Sequence, residues 1–378
     1  MPFSARVGFF KLLEAIGFPD WPTQATTSEF TDEGALLSGV PNTFTEIDPN
    51  TSIGSGEEFR GAVKHPNGNI YFLPRQYGSI LEYDPSTNTA TDRQSETYFT
   101  NSSYTGGSLG GNGNIYLNPF STDALIEYDP VTNTKTQGAF GATITSGSGQ
   151  RIGAVTDSTG NVHCIPLNAS DVISIDCSVS PRTATNTDYG ATWGSAGYVG
   201  GTAHPNGNIY CMPLNANKVL EFDPNAGTSR TFSTPTSASG QCQGAVTGAD
   251  GNIYGVPWNA DYVIKFDPVT ETVTEETYGL SYVNNSCIGG VSAPNGNIYM
   301  MPFTVSQIIE VDPIAGTGQY LANTISSSAS FVGGCSDESG NVYMAPNNNG
   351  AIGVLETNAT GGTNANAYTL SSYTNKGF

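Results

Sequence analysis

The sequence is poor in positive charge, histidine and long apolar runs, and each scarcity removes a class of function. Only 13 lysines and arginines stand against 33 aspartates and glutamates, for a formal net charge of −20. Phosphate backbones are bound by basic stripes, so nucleic acid is not an expected partner. No apolar stretch approaches the roughly 20 residues of a membrane-spanning helix, so no span is expected. Near the start, Val7 to Phe10 lies between Arg6 and Lys11, too broken a run for the core of a secretion signal. The six cysteines, at 164, 177, 211, 242, 287 and 335, lack zinc-site spacing. They read as small buried side chains rather than disulfides. No metal and no cofactor are expected.

What the chain has in quantity is glycine (46) and proline (22), with much Thr, Asn, Ser and Tyr. That is the composition of short strands joined by tight turns. The text repeats. Gly-Asn-Ile-Tyr or a close variant begins at Gly68, Gly113, Gly160, Gly207, Gly251, Gly296 and Gly340, at spacings of 45, 47, 47, 44, 45 and 44. A second glycine stands seven residues before each, from Gly61 to Gly333, and a proline six after, from Pro74 to Pro346. An acid stands sixteen after, from Asp84 to Glu356. A period near 45 is that of a propeller blade. The expected fold is all-β, a seven-bladed β-propeller of four-stranded antiparallel blades over residues 44–378, preceded by an N-terminal arm, 1–43.

Each repeated position has a mechanical reading. Pro66-Asn67-Gly68-Asn69 is a tight turn, Ile70 to Pro74 a strand ended where proline withholds a donor, and Asp84-Pro85 the start of an Asx-type turn. The small first-strand residues suit a crowded innermost position. Length varies only after the Asp, so one face of the disc carries uniform turns and the other varied loops, the better candidate for recognition. Two segments compete to complete the last blade, Phe44 to Asp48 and Ala367 to Ser371; the first is favoured.

In the arm, Phe9, Leu12, Leu13 and Ile16 fall on one helical face, before Phe18-Pro19-Asp20-Trp21-Pro22. This reads either as a plug on the propeller or as a docking segment for another protein. Near the axis, two residues before the first-strand glycines, the expected ring includes Tyr104, Arg151 and Tyr198; one residue before stand Arg60 and its equivalents. These rings are mainly apolar and lack the converging acids and histidines of a catalytic or metal site. His65, His163 and His204 fall on three different blades. After the prolines, Arg75, Phe120, Trp258 and Phe303, beside Asn259 and other amides, offer stacking next to hydrogen-bonding groups, as sugar or peptide recognition uses.

The unit Pro-Asn-Gly-Asn-Ile-Tyr … Pro … Ile-x-Glu-Tyr-Asp-Pro-x-Thr resembles, over residues 61–357, the virginiamycin B lyase group of seven-bladed propellers. Those units share a Gly-x-Ile-aromatic strand and an Asp-Pro end. The resemblance implies blade architecture, since the group's catalytic histidine and metal-binding acid have no match here. The opening Met1-Pro2-Phe3-Ser4-Ala5-Arg6-Val7-Gly8-Phe9-Phe10 resembles the start of tailed-bacteriophage structural proteins. The leading expectation is therefore a non-enzymatic virion protein of a tailed phage. Other virion proteins would hold residues 1–43, and the propeller would contact a protein or a host-surface glycan. The alternatives are a lyase-like enzyme using Arg60, Arg151 and Tyr198, and a free extracellular carbohydrate-binding propeller.

Overall fold

The computed structural model describes residues 42–357 except 50–52, 54–55, 96–98, 100–101, 146, 148, 192, 195, 323–324, 326–329 and 349. The arm residues Phe9, Leu12, Leu13, Ile16 and Trp21, and the rival closing segment 367–371, lie outside these. The described strands form seven four-stranded antiparallel sheets, each strand bonded to its sequence neighbours. Blade 1 runs Phe59–Lys64, Ile70–Pro74, Ile80–Asp84 and Thr89–Arg93. The one out-of-order strand is Thr43–Ile47, which pairs antiparallel with Ile352–Glu356 and completes blade 7. The ring is thus closed by the N-terminal segment. Phe44 packs against Phe331, ring centroids 6.1 Å apart, while Ile47 packs against the cluster shared by blades 7 and 1. Lys64 and Glu338 form an ion pair across the same seam.

The core lies between blades. Phe72, Leu81 and Tyr83 of blade 1 meet Tyr343, Ala345 and Ile352 of blade 7, and Leu73 and Ile80 meet Ile115, Leu117 and Ile126 of blade 2. Fully burying such side chains contributes about 1.5–3 kcal/mol each, so the ring is held by the hydrophobic effect repeated at seven contacts. The first-strand glycines do more than save space. All seven have positive φ, for example +91° at Gly61 and +114° at Gly244. The register slips beside them, as between Phe59 and Ala62 and between Cys242 and Ala245. Each is a β-bulge that only glycine supplies without strain, and it decides which side chain turns to the axis.

Every blade also places one buried or half-buried carboxylate beneath its tight turn. In blades 1, 2 and 6 the second-strand tyrosine donates to a third-strand glutamate: Tyr71 to Glu82 at 2.8 Å, Tyr116 to Glu127 at 2.9 Å and Tyr299 to Glu310 at 2.8 Å. In blade 4 the turn makes the link: Asn206 donates to the Tyr210 hydroxyl at 2.7 Å and Asn208 to Glu221 at 3.0 Å. Blades 3, 5 and 7 have Ser174, Lys265 and Val354 at the glutamate position, and there the acid comes from the turn. Tyr254 donates to Asp250 at 2.7 Å, Tyr343 to Asp337 at 2.9 Å, and His163 stands 2.9 Å from Asp157. Burial pushes the Glu82 carboxyl up, but hydrogen bonds from Arg93, Asn69 and Tyr71 outweigh it and leave the group below its ordinary value.

Two outcomes follow. In blade 5, Asp250→Asn leaves Lys265, now 3.3 Å from that carboxylate, without its partner. Lys265→Glu sets two acids together. Each alone is expected to cost about 1–3 kcal/mol, whereas the double substitution recreates the Asn–Tyr–Glu set of blades 1, 2, 4 and 6 and recovers most of the loss. A double-mutant cycle by chemical denaturation measures this, and additive losses would show that the acid cannot be relocated. At the seam, removing residues 1–49 is expected to lower the thermal midpoint well below that of a chain lacking only 1–41. Equal midpoints would show that the closing strand does not stabilise the ring.

Candidate recognition face

Strand directions sort the two faces. Each first strand runs towards its tight turn and each third strand ends at the repeated acid, which is followed by proline in five blades, so both turns share one face and the longer connections the other. The turn face is internally satisfied. Asp84 Oδ1 accepts the Ser86 backbone N–H at 2.8 Å, and Asp223 that of Asn225 at 2.8 Å. His65 and His204 belong to this frame: their Nε2 atoms lie 3.0 Å from the carbonyls of Gly113 and Gly251 in the next blade. In both, Nδ1 accepts a backbone N–H, from Asn67 and Asn206. That fixes a neutral imidazole with its proton on Nε2.

On the loop face the bulges separate the two rings expected near the axis. Ile152, Val199, Ile288 and Val332, from four blades, share one cluster with Leu167, a convergence possible only at the axis. Arg60 of blade 1 donates to the Gln243 side chain of blade 5 at 2.9 Å, across the same opening. Burial, with Arg75 nearby, brings the Arg60 guanidinium down to about 9, against the pull of Glu57. The other ring does not reach the mouth. Tyr104, Arg151 and Tyr198 are each 1% exposed, turned between blades by the bulge, and so form no part of an open contact surface.

Around the axial floor stand the residues that follow the prolines. Phe120, Leu214, Trp258 and Phe303 are half-buried against the axial cluster, and the Trp258 and Phe303 rings lie 5.2 Å apart at 57°. Arg75 is paired with Glu57 and sits 6.0 Å from the Phe120 ring. The neighbouring amides have structural work. Asn259 Oδ1 accepts the Asn285 N–H at 3.1 Å, Asn168 Oδ1 that of Ala196 at 2.8 Å, and Asn215 Oδ1 that of Gly240 at 2.9 Å. Each clasps the loop arriving at the next blade. The mouth is therefore an apolar bowl, and Asn259 belongs to its frame more than to its contact surface.

Sequence reading missed one relay. His163 Nε2 meets Asp157 Oδ2 at 2.9 Å and Nδ1 meets Ser174 Oγ at 2.9 Å, while Ser174 Oγ also lies 3.3 Å from the Tyr189 hydroxyl. The atoms are those of a Ser-His-Asp triad. His163 and Asp157 are only 3% and 6% exposed, and the set occupies the place of the tyrosine–glutamate pair of other blades. The paired departures, His for Tyr and Ser for Glu, were the available signal. Among the described residues, no group of three or more His, Cys, Asp or Glu is arranged to hold a metal ion. All six cysteines are buried and free.

No family model matches the chain, and no curated protein does. Solved propellers do. A streptogramin B lyase structure aligns with 83% of this chain and 97% of its own, at 15% identity and a TM-score of 0.67. A catalytically inactive virginiamycin B lyase from Staphylococcus aureus with quinupristin covers 83% and 99%, at 13% identity and a TM-score of 0.69. The extracellular domain of a one-component system from B. thetaiotaomicron covers 83% of this chain and 39% of that one, at 12% identity and a TM-score of 0.62. At these identities the likeness is one of fold.

The His204 link carries a pH dependence. Burial holds His204 below its ordinary value, against the opposing hydrogen bonds to Asn206 and Gly251. A histidine with a depressed folded value contributes stability that is present above about pH 6.5 and lost as pH falls through that folded value. The thermal midpoint is expected to drop on acidification below about pH 6.5, before carboxylates titrate near 4. His204→Gln should begin less stable and drop less over that interval. An unchanged acid profile in the variant would remove His204 as the cause.

Proposed function

We propose that this chain is a non-catalytic recognition propeller whose loop face binds a partner, with the axial bowl receiving an apolar or aromatic group. One observation carries the reading. Side chains from several blades converge on an apolar floor, with half-buried Phe120, Leu214, Trp258 and Phe303 around it and the Arg60–Gln243 bond across it. These groups supply desolvation and ring contact, the properties of binding anchors. They do not supply a proton donor matched to an acceptor. The lyase-like alternative loses two of its three expected residues, because Arg151 and Tyr198 are buried between blades.

The polarity of the disc supports display. Thr43 pairs with Glu356 at the turn-face end of blade 7, so the closing strand begins on the face opposite the bowl. The expected attachment of residues 1–43 to other virion structural proteins belongs to this proposal, as does contact of the loop face with a protein or host-surface glycan. The extracellular carbohydrate-binding alternative would use the same face.

Trp258→Ala is expected to weaken partner binding by about 1–3 kcal/mol with no change in fold, measured on the complex captured from native material. Unchanged affinity would remove the bowl as the contact. Density-gradient separation of that material tests the placement: co-migration with virus-sized particles is expected, and recovery only as free protein would overturn the virion role while leaving the bowl untouched.

A further inference from the structure

Blade 3 departs from its neighbours at one buried position. Where they carry Phe59, Tyr104, Tyr198, Cys242, Cys287 and Phe331, it carries Arg151, 1% exposed. The Arg151 Nη2 donates to Asp171, while its Nε and Nη1 have no hydrogen-bond partner. A guanidinium in place of a core ring is kept against a desolvation cost, and unused buried donors require an explanation. This one reaches the wall of a groove of about 630 Å3 lined by Ser170, Asp171, Asn186, Thr187, Asp188 and Ala191. The groove opens on the loop face, between the start of the third strand, Val172–Asp176, and the end of the fourth, Thr183–Thr187.

The groove is built rather than incidental. Asn186 is pinned from both sides of its amide, Oδ1 accepting the Thr143 N–H at 2.7 Å and Nδ2 donating to the Thr143 carbonyl at 2.9 Å. The Asp188 carbonyl accepts the Trp193 indole N–H at 3.1 Å, and its Oδ1 accepts the Gly190 N–H at 3.0 Å. Behind that loop the Tyr189 and Trp193 rings pack on Phe222, at 4.8 and 6.1 Å.

The wall chemistry selects the occupant. Asp171 is matched by Arg151, which leaves Asp188 as the excess charge and disfavours an anion. A hard cation needs more oxygens than one unmatched carboxylate provides, and the polar walls give an apolar molecule little to bury. A neutral polyol fits: its hydroxyls donate to carboxylate oxygens and accept from the Ser170 and Thr187 hydroxyls, in a groove of ordinary ligand size. We propose that this groove on blade 3 binds a neutral sugar, through Asp171 and Asp188 with Arg151 fixing Asp171. The site is separate from the axial bowl and stands or falls independently of it.

The test titrates a panel of soluble neutral oligosaccharides and their sialylated counterparts into the full chain, followed by saturation-transfer NMR and calorimetry. Saturable binding of a neutral member is expected, weakened about tenfold or more by Asp188→Asn and by Asp171→Asn, and unchanged by Trp258→Ala. Asp188 is exposed, so its variant tests the site with the fold intact. Arg151→Met adds a second reading, weaker binding at an unchanged thermal midpoint or higher. No neutral sugar bound, equal binding by Asp188→Asn, loss only in Trp258→Ala, or Ca2+ alone taken up with the same sensitivity would each overturn the proposal.

Discussion

A carboxylate buried beneath a tight turn must find donors, and that requirement organises each blade. In blade 1 the turn, the second strand and the fourth strand all reach the two oxygens of the third-strand acid. The donors are Asn69, Tyr71 and Arg93 around Glu82. An acid left unpaired there would cost far more than a surface ion pair returns, so the three segments can meet in only one register. A one-residue slip would turn the tyrosine to the opposite face and leave the acid orphaned. The acid can enter from the turn, as at Asp250 and Asp337, or from the third strand, as at Glu82. What is fixed is one negative charge per blade, not its place in the sequence.

That device lies on one face of the disc and explains why the face is uniform. Its turns are closed by their own Asx bonds, its histidines link blade to blade, and the ring is sealed there by Lys64 and Glu338. Little on it can change without disturbing a buried group. The opposite face meets no such demand. Its loops are tethered by single amides such as Asn168, Asn215 and Asn259, which tolerate different loop lengths as long as one backbone N–H arrives. Variation collects where an amide side chain and backbone contacts, rather than a buried acid, set the geometry.

The same distinction decides what the sequence disclosed. Repeat number, strand positions and the Asp-Pro turns were legible, because local turn chemistry and period fix them; closure by the segment around Phe44 was only favoured over Ala367 to Ser371, and the pairing of Thr43–Ile47 with Ile352–Glu356 decides it. The two rings near the axis were not told apart. Residues 59 and 60, or 151 and 152, differ by one position, and the bulge at the following glycine decides which of them turns inward. A positive φ at Gly61 or Gly153 is not announced by a glycine that also reads as small. The amides beside the prolines misled for another reason: an asparagine that clasps a loop and one that offers itself to a ligand are the same letters. Their difference lies in the loop of the next blade, which no repeat position specifies.

Blade 3 shows how departures from a repeat can be weighed. His163 for tyrosine and Ser174 for glutamate are coupled to Asp157, since imidazole needs an acceptor on one nitrogen and a partner on the other; once one changes, the rest must follow. This cluster therefore explains itself as a variant of the buried-acid device. Arg151 is not drawn in by that exchange. It lies on the first strand, its partner is Asp171 in a loop, and an uncharged aromatic ring or cysteine fills the place in every other blade. A forced substitution carries no information about ligands. An unforced one, costly and directed at an open polar groove, does.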